Sequence, residues 1–187
     1  LQSESAGFTP EPCRSVQPPA RGSRRLPEEL ATRANGLEVL YNSSETIKAI
    51  LEFSQQNIRK GSGVYLELRH MDWKSFLALA QGGDYDIARY SLTGGYDPVD
   101  FLDNFTTGHP NNISGYSRGD YDALVAGVHQ TADRAARVSL MHKAHRLLCD
   151  DLPAAPVYFS SQVHLVKTAL LNSFHPDPEG VFLWREF

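Results

Sequence analysis

Cysteine is nearly absent: the 187-residue chain has two, Cys13 and Cys149. A disulfide framework needs more, and neither sits in a C-x-x-C pair or a nucleophile motif. Cys149, late in a helical stretch, reads as a small buried hydrophobe. Long apolar runs are missing too; none approaches the ~20 residues that a membrane helix requires. Charge of one sign is scarce, since 18 Lys and Arg against 22 Asp and Glu leave a net charge of −4. That is too little to announce an electrostatic partner, and no basic cluster outlines a nucleic-acid footprint. There is no P-loop, dinucleotide fingerprint or G-x-S-x-G elbow. No signal peptide is legible, and a start at Leu1 rather than Met leads us to expect a processed or excerpted chain.

The composition that remains, 41% hydrophobic and 21% charged, is that of an ordinary soluble globular protein. Its length fits one domain able to bury roughly 70% of its unfolded surface. Residues 1–25 carry Pro, Ser, Gly and Arg with little apolar periodicity and read as a flexible tail. Pro27 opens a short helix over Leu26 to Arg33, and Leu37 to Tyr41 is a strand. Asn42 to Ser44 offer caps to a helix whose face is Ile47, Ile50, Leu51, Ser54 and Ile58. Val64 to Arg69 alternate as a strand. Asp72 caps a helix with a buried stripe of Trp73, Phe76, Leu77 and Ala80. A glycine pair, Gly82-Gly83, ends it and leads into a strand over Tyr85 to Leu92, which falls into a Gly94-Gly95 turn and Asp97-Pro98.

This alternation argues for crossover units and an α/β fold with a mixed, mainly parallel sheet and flanking helices. The later half is more helical. Asp100 to Phe105 is a short turn of helix, and 111–116 is a loop. Tyr121, Leu124, Val125 and Val128 mark one helical face. Asp133 caps a longer helix with Val138, Met141, Ala144, Leu147 and Leu148 on its face, ended by Pro153. Ala155 to Phe159, Val163 to Val166 and Val181 to Trp184 read as strands.

Catalytic or metal chemistry finds little support. Asp84 and Asp86, two apart on a strand, face one side and offer an acid/base pair. A turn residue beside a solvated strand end is the plainer reading. His142 and His145 share a helical face, with His129 as a third donor. No Asp, Glu or Cys completes a recognised spacing, so surface histidines are the reading. The residues alone indicate no enzyme, no metal and no cofactor.

Several segments taken together do carry a signal. They are Leu40-Tyr41-Asn42-Ser43-Ser44, Asp72-Trp73-Lys74-Ser75-Phe76-Leu77, Gly83-Asp84-Tyr85-Asp86-Ile87-Ala88-Arg89 and Asp97-Pro98-Val99-Asp100-Phe101-Leu102. Further on come Tyr121-Asp122-Ala123-Leu124, Ala144-His145-Arg146-Leu147-Leu148, Pro156-Val157-Tyr158-Phe159 and Leu165-Val166-Lys167. Their order and spacing over roughly residues 36–170 resemble the C-terminal portion of solute-binding protein family 5, the oligopeptide-binding proteins of bacterial ABC importers.

The resemblance implies the C-terminal lobe of a type II solute-binding fold with its first lobe missing. It implies a periplasmic or extracytoplasmic, non-catalytic protein that serves importer membrane subunits. The peptide ligand would lie as an added strand, held mostly through its backbone. Carried over by position, the contact residues are Arg89, Tyr90, Ser91, Leu92, Thr93 and Gly95, with Asn42 supporting them from the neighbouring strand end. Arg89 would face a peptide carboxylate or a buried charge; an Arg in a structural ion pair is the alternative. Asn42 is equally at home as a plain turn residue.

Departures from the family pattern concentrate at this same place. Leu92 stands where a Trp is usual, and Gly95 where an Asp receives the peptide's α-ammonium. Ile47 and Ala80 stand where some members carry His and Arg. Losing a charge-assisted hydrogen bond of ~1.5–3 kcal/mol implies binding weakened tenfold or more. Asp97, two residues on, is the alternative anion. Residues 26–162 are thus expected to form the lobe and 163–187 the segment that returns to the missing one. That segment, left with unpaired edges, is expected to repack, to pair across a homodimer or to be disordered. The alternative function is a stand-alone remnant that self-associates without a small ligand.

Overall fold

The computed structural model describes residue 13 and residues 26–92, 95, 97–158 and 165–168. The described residues of 14–92 and 104–117 form one compact unit; those of 1–13, 93–103 and 118–187 form another. We call them the sheet unit and the helical unit.

The sheet unit runs α1 (Glu28–Ala34), β1 (Glu38–Asn42), α2 (Glu45–Ser62), β2 (Glu67–Met71), α3 (Trp73–Gly82) and β3 (Ile87–Ala88). The strands pair in parallel in the order β2-β1-β3, with Val39 opposite Leu68 and Leu40 opposite Ala88. A central parallel strand is covered on both faces and needs a continuous apolar run; Val39, Leu40 and Tyr41 supply it, all buried. Because alternate residues face opposite sides, Val39 and Tyr41 pack with Leu51 of α2, Val64 and Leu66. Leu40, on the other side, packs with Phe76 and Ala80 of α3 and with Tyr85, Ala88, Tyr90 and Ile113.

Local chemistry sets the helix ends. Ser44 Oγ accepts from the Ile47 N–H, and Asp72 accepts from the Ser75 N–H at 3.1 Å. Gly63 and Gly83 close α2 and α3 in the left-handed conformation, φ 82° and 73°, which a side chain would resist. In residues 104–117 the buried Asn104 accepts from Asn111 Nδ2 at 2.9 Å, and Asn112 Nδ2 donates to the carbonyls of Thr106 and Tyr116.

Three expectations need correction here. β2 begins at Glu67 rather than Val64: the Tyr65 N–H is taken by Asn35 Oδ1 at 2.9 Å and the Leu66 carbonyl by Gln55 Nε2 at 2.6 Å. β3 is two residues long, not eight; the Asp86 carboxylate, rather than a backbone carbonyl, accepts the Glu38 N–H at 3.0 Å. Trp73 belongs to no buried stripe. It is 55% exposed, its ring stacked on that of Phe76 at 5.6 Å.

The helical unit contains α4 (Val99–Asp103), α5 (Gly119–Gln130) and α6 (Arg134–Asp151). Val99, Leu102, Tyr121, Val125, Val128, Met141 and Ala144 are buried in it. Tyr121 Oη donates to the Leu102 carbonyl at 2.6 Å, so α5's largest core side chain also holds α4. Asp133 caps α6 as expected, accepting from the Ala136 N–H at 2.8 Å. Arg118 pairs with Asp120 at 2.7 Å and with Asp151 at 2.6 Å, joining the start of α5 to the end of α6. These contacts raise the guanidinium's pKa and hold the Asp120 carboxyl below its usual value.

α6 stops at Asp151, with Leu152 left-handed at φ 48°. Ala155 to Tyr158 form no strand, nor do Leu165 and Val166; a short apolar run needs a ladder partner, and none is present among the described residues. Phe159, Val163, His164 and Val181 to Trp184 lie outside the described residues. Cys149 is buried but is not a plain hydrophobe: it forms a disulfide with Cys13, Cα–Cα 5.1 Å. A partner 136 residues distant leaves no local trace in the sequence. Among the described residues no helix is long and apolar enough to cross a membrane.

Candidate functional site

In an open parallel sheet, ligands gather beyond the carboxyl ends of the strands, where chain direction and helix starts converge. Here β1 ends at Asn42 and β3 at Ala88, and their parallel pairing puts both ends on one edge. Arg89 follows β3 directly; its N–H donates to the Leu40 carbonyl at 2.8 Å. Its side chain is half-buried, as are those of Asn42 and Leu92, while Ser91 is exposed. Tyr90 is fixed by an aromatic ladder: its ring stacks on Phe76 at 6.4 Å, and Phe76 in turn on Trp73. The sheet unit thus brings Asn42 and Arg89 to Leu92 to one edge, with β3 an outer strand of the described sheet.

The helical unit holds Gly95 and Asp97; Thr93 lies outside the described residues. Asp97 is fully engaged. Its Oδ1 accepts from the Val99 N–H at 3.1 Å, starting α4, and its Oδ2 pairs with Arg137 at 2.7 Å. An acid that both starts a helix and neutralises an arginine is costly to redirect. Gly95 is different. A Cβ built there would collide with Asp100 Oδ2, and Asp100 Cγ lies at 3.4 Å. The carboxylate of Asp100, in the first turn of α4, therefore fills the space that a side chain at 95 would occupy. Sequence reasoning passed over Asp100, because nothing in the spacing of 95 and 100 announces that contact.

The Asp86 carboxylate accepts the Glu38 N–H. His129 pairs with Asp103 at 2.9 Å. His145 instead lies beside the disulfide, its ring nitrogens 3.7 and 3.8 Å from Cys149 Sγ. The sequence reading joined no cysteine to these histidines; the fold sets Cys149, four residues on along α6, and the distant Cys13 beside His145.

No family model matches the chain. It is 34% identical over 141 residues to the dipeptide-binding protein DppE of Bacillus subtilis, covering 75% of this chain and 26% of that protein. Over 185 residues it is 29% identical to the periplasmic murein peptide-binding protein MppA of Escherichia coli, covering 95% of this chain and 34% of that protein. The solved structure of Escherichia coli MppA superposes with a TM-score of 0.66 at 28% identity, covering 82% of this chain and 32% of that one. This chain is a homologue of the C-terminal portion of bacterial peptide-binding proteins. It spans about a quarter to a third of the length of those relatives. The type II solute-binding fold that the resemblance implies is the fold of these neighbours. They are solute-binding proteins rather than enzymes.

Proposed function

We propose that this chain is a peptide-binding lobe of an extracytoplasmic receptor for an ABC importer. The observation that carries the reading is the strand edge itself. A chain homologous to peptide-binding proteins gathers Asn42 and Arg89 to Leu92 at the carboxyl ends of parallel strands, beside an outer strand. A peptide held as an added strand needs such an edge for its backbone and a few pockets for alternate side chains. Arg89 supplies a guanidinium for a ligand carboxylate. Gly95 offers no acid for the peptide's α-ammonium, and Asp97 already accepts from the Val99 N–H and pairs with Arg137, so the amine end of the ligand is read as weakly held. Residues 163–187 are read as the segment that returns to a first lobe.

A second reading draws on surface: Leu165 is 98% exposed and Val157 64%. Apolar side chains left so bare favour association, which here means a homodimer through 163–187. Native mass spectrometry before any ligand is added separates the two. Extra mass from a spread of short peptides, lost in Arg89→Ala, supports the receptor lobe. A bare dimer supports self-association, and a bare monomer that takes up no peptide from a library overturns the receptor reading.

A further inference from the structure

The helical unit carries a cluster that peptide binding does not use. The Cys13 and Cys149 sulfurs and a ring nitrogen of His145 lie within 4.8 Å of one another. We propose that reduction of the Cys13–Cys149 disulfide turns these three side chains into a site for one thiophilic divalent cation of the zinc class.

Donor chemistry comes first. Two thiolates and an imidazole are the ligands zinc prefers, and three protein ligands leave a fourth position for water. Spacing comes second. Metal–sulfur bonds of ~2.3 Å and metal–nitrogen bonds of ~2.0–2.1 Å at tetrahedral angles put neighbouring donors roughly 3.5–3.8 Å apart. Cys149 Sγ already stands 3.7 and 3.8 Å from the two His145 nitrogens. That pair is an i, i+4 pair on α6, and the helix is anchored by the buried Met141 and Ala144. Half of the site is therefore spaced for an ion while the disulfide is intact. Only the Cys13 sulfur has to move, by ~2 Å, from bonding distance to a neighbouring vertex.

The steps balance. An external dithiol gives two electrons and two protons; the S–S bond breaks, two thiols form, and the dithiol closes to its own cyclic disulfide. On binding, each thiol releases its proton and each thiolate donates a lone pair, as does the neutral imidazole, so two protons leave per ion. The oxidised pair has no thiolate to offer, so redox state gates the site.

The test uses the full chain and cobalt(II) as a spectroscopic probe for zinc. The protein is reduced with dithiothreitol, desalted anaerobically and titrated. Reduced chain should take up one cobalt with a thiolate-to-metal charge-transfer band and release two protons, and zinc should displace the cobalt. Oxidised chain should show no band. Cys149→Ser should abolish it, and His145→Ala should weaken binding tenfold or more. A reduced chain that keeps its helical circular dichroism but gives no band overturns the proposal. So does a band of equal affinity in His145→Ala, or a reduced chain whose helices melt at saturating cobalt. None of these readouts depends on peptide binding.

Discussion

Gly95→Ala is a small perturbation with a defined target. The added methyl meets Asp100 Oδ2, so the methyl stays only if Asp100 turns away. The obstacle is the end of a flexible side chain rather than backbone, which limits the cost to moving Asp100 off its preferred rotamer, ~0.5–1.5 kcal/mol. For a chain of this size, 1 kcal/mol corresponds to about 2–4 °C in Tm. The assay is a double-mutant cycle by urea unfolding on wild type, Gly95→Ala, Asp100→Ala and the double variant. Because the two residues touch, the effects should not add. Gly95→Ala should cost ~1 kcal/mol alone and close to nothing once Asp100 is Ala. An equal cost in both backgrounds would refute the steric argument and return Gly95 to ordinary turn chemistry.

Three further outcomes follow from the packing and charge. Phe76→Ala should lower unfolding free energy by ~3–5 kcal/mol, because Phe76 is fully buried beneath Leu40 and between the rings of Trp73 and Tyr90; chemical denaturation measures it, and a loss below 1 kcal/mol would contradict that core. Tyr121→Phe should cost ~1–3 kcal/mol by leaving the buried Leu102 carbonyl without its donor, read from thermal melts; an unchanged Tm would mean that water replaces the hydroxyl. The Asp120 carboxyl lies below its ordinary value of 3.8, chiefly through the Arg118 hydrogen bond, so its contribution to stability is complete above that pH and is lost as pH falls through the depressed folded value. Stability measured from pH 6 to pH 2 should therefore fall less steeply at the acid end in Asp120→Asn, and a superimposable acid limb would remove the pair from the balance.

What the sequence alone determined were the features that a few neighbouring residues control. Ser44, Asp72 and Asp133 were legible as caps because each bonds an N–H three residues on. Gly83 was legible as a stop because the left-handed turn is its own local requirement. The run Leu37 to Tyr41 was legible as a strand, and the ordered segments from Leu40 to Lys167 carried the family resemblance. Tertiary structure decided what depends on partners distant in the chain. Asn35 and Gln55 took the hydrogen bonds that would have lengthened β2, and Asp86 stood in for backbone at β3. Cys149 read as a hydrophobe until Cys13 met it from 136 residues away. Asp100 carried no signal until the fold laid its carboxylate over Gly95. Periodicity and caps are short-range energies written in adjacent residues, whereas a contact between distant segments exists only once the chain entropy opposing it has been overcome by the whole fold.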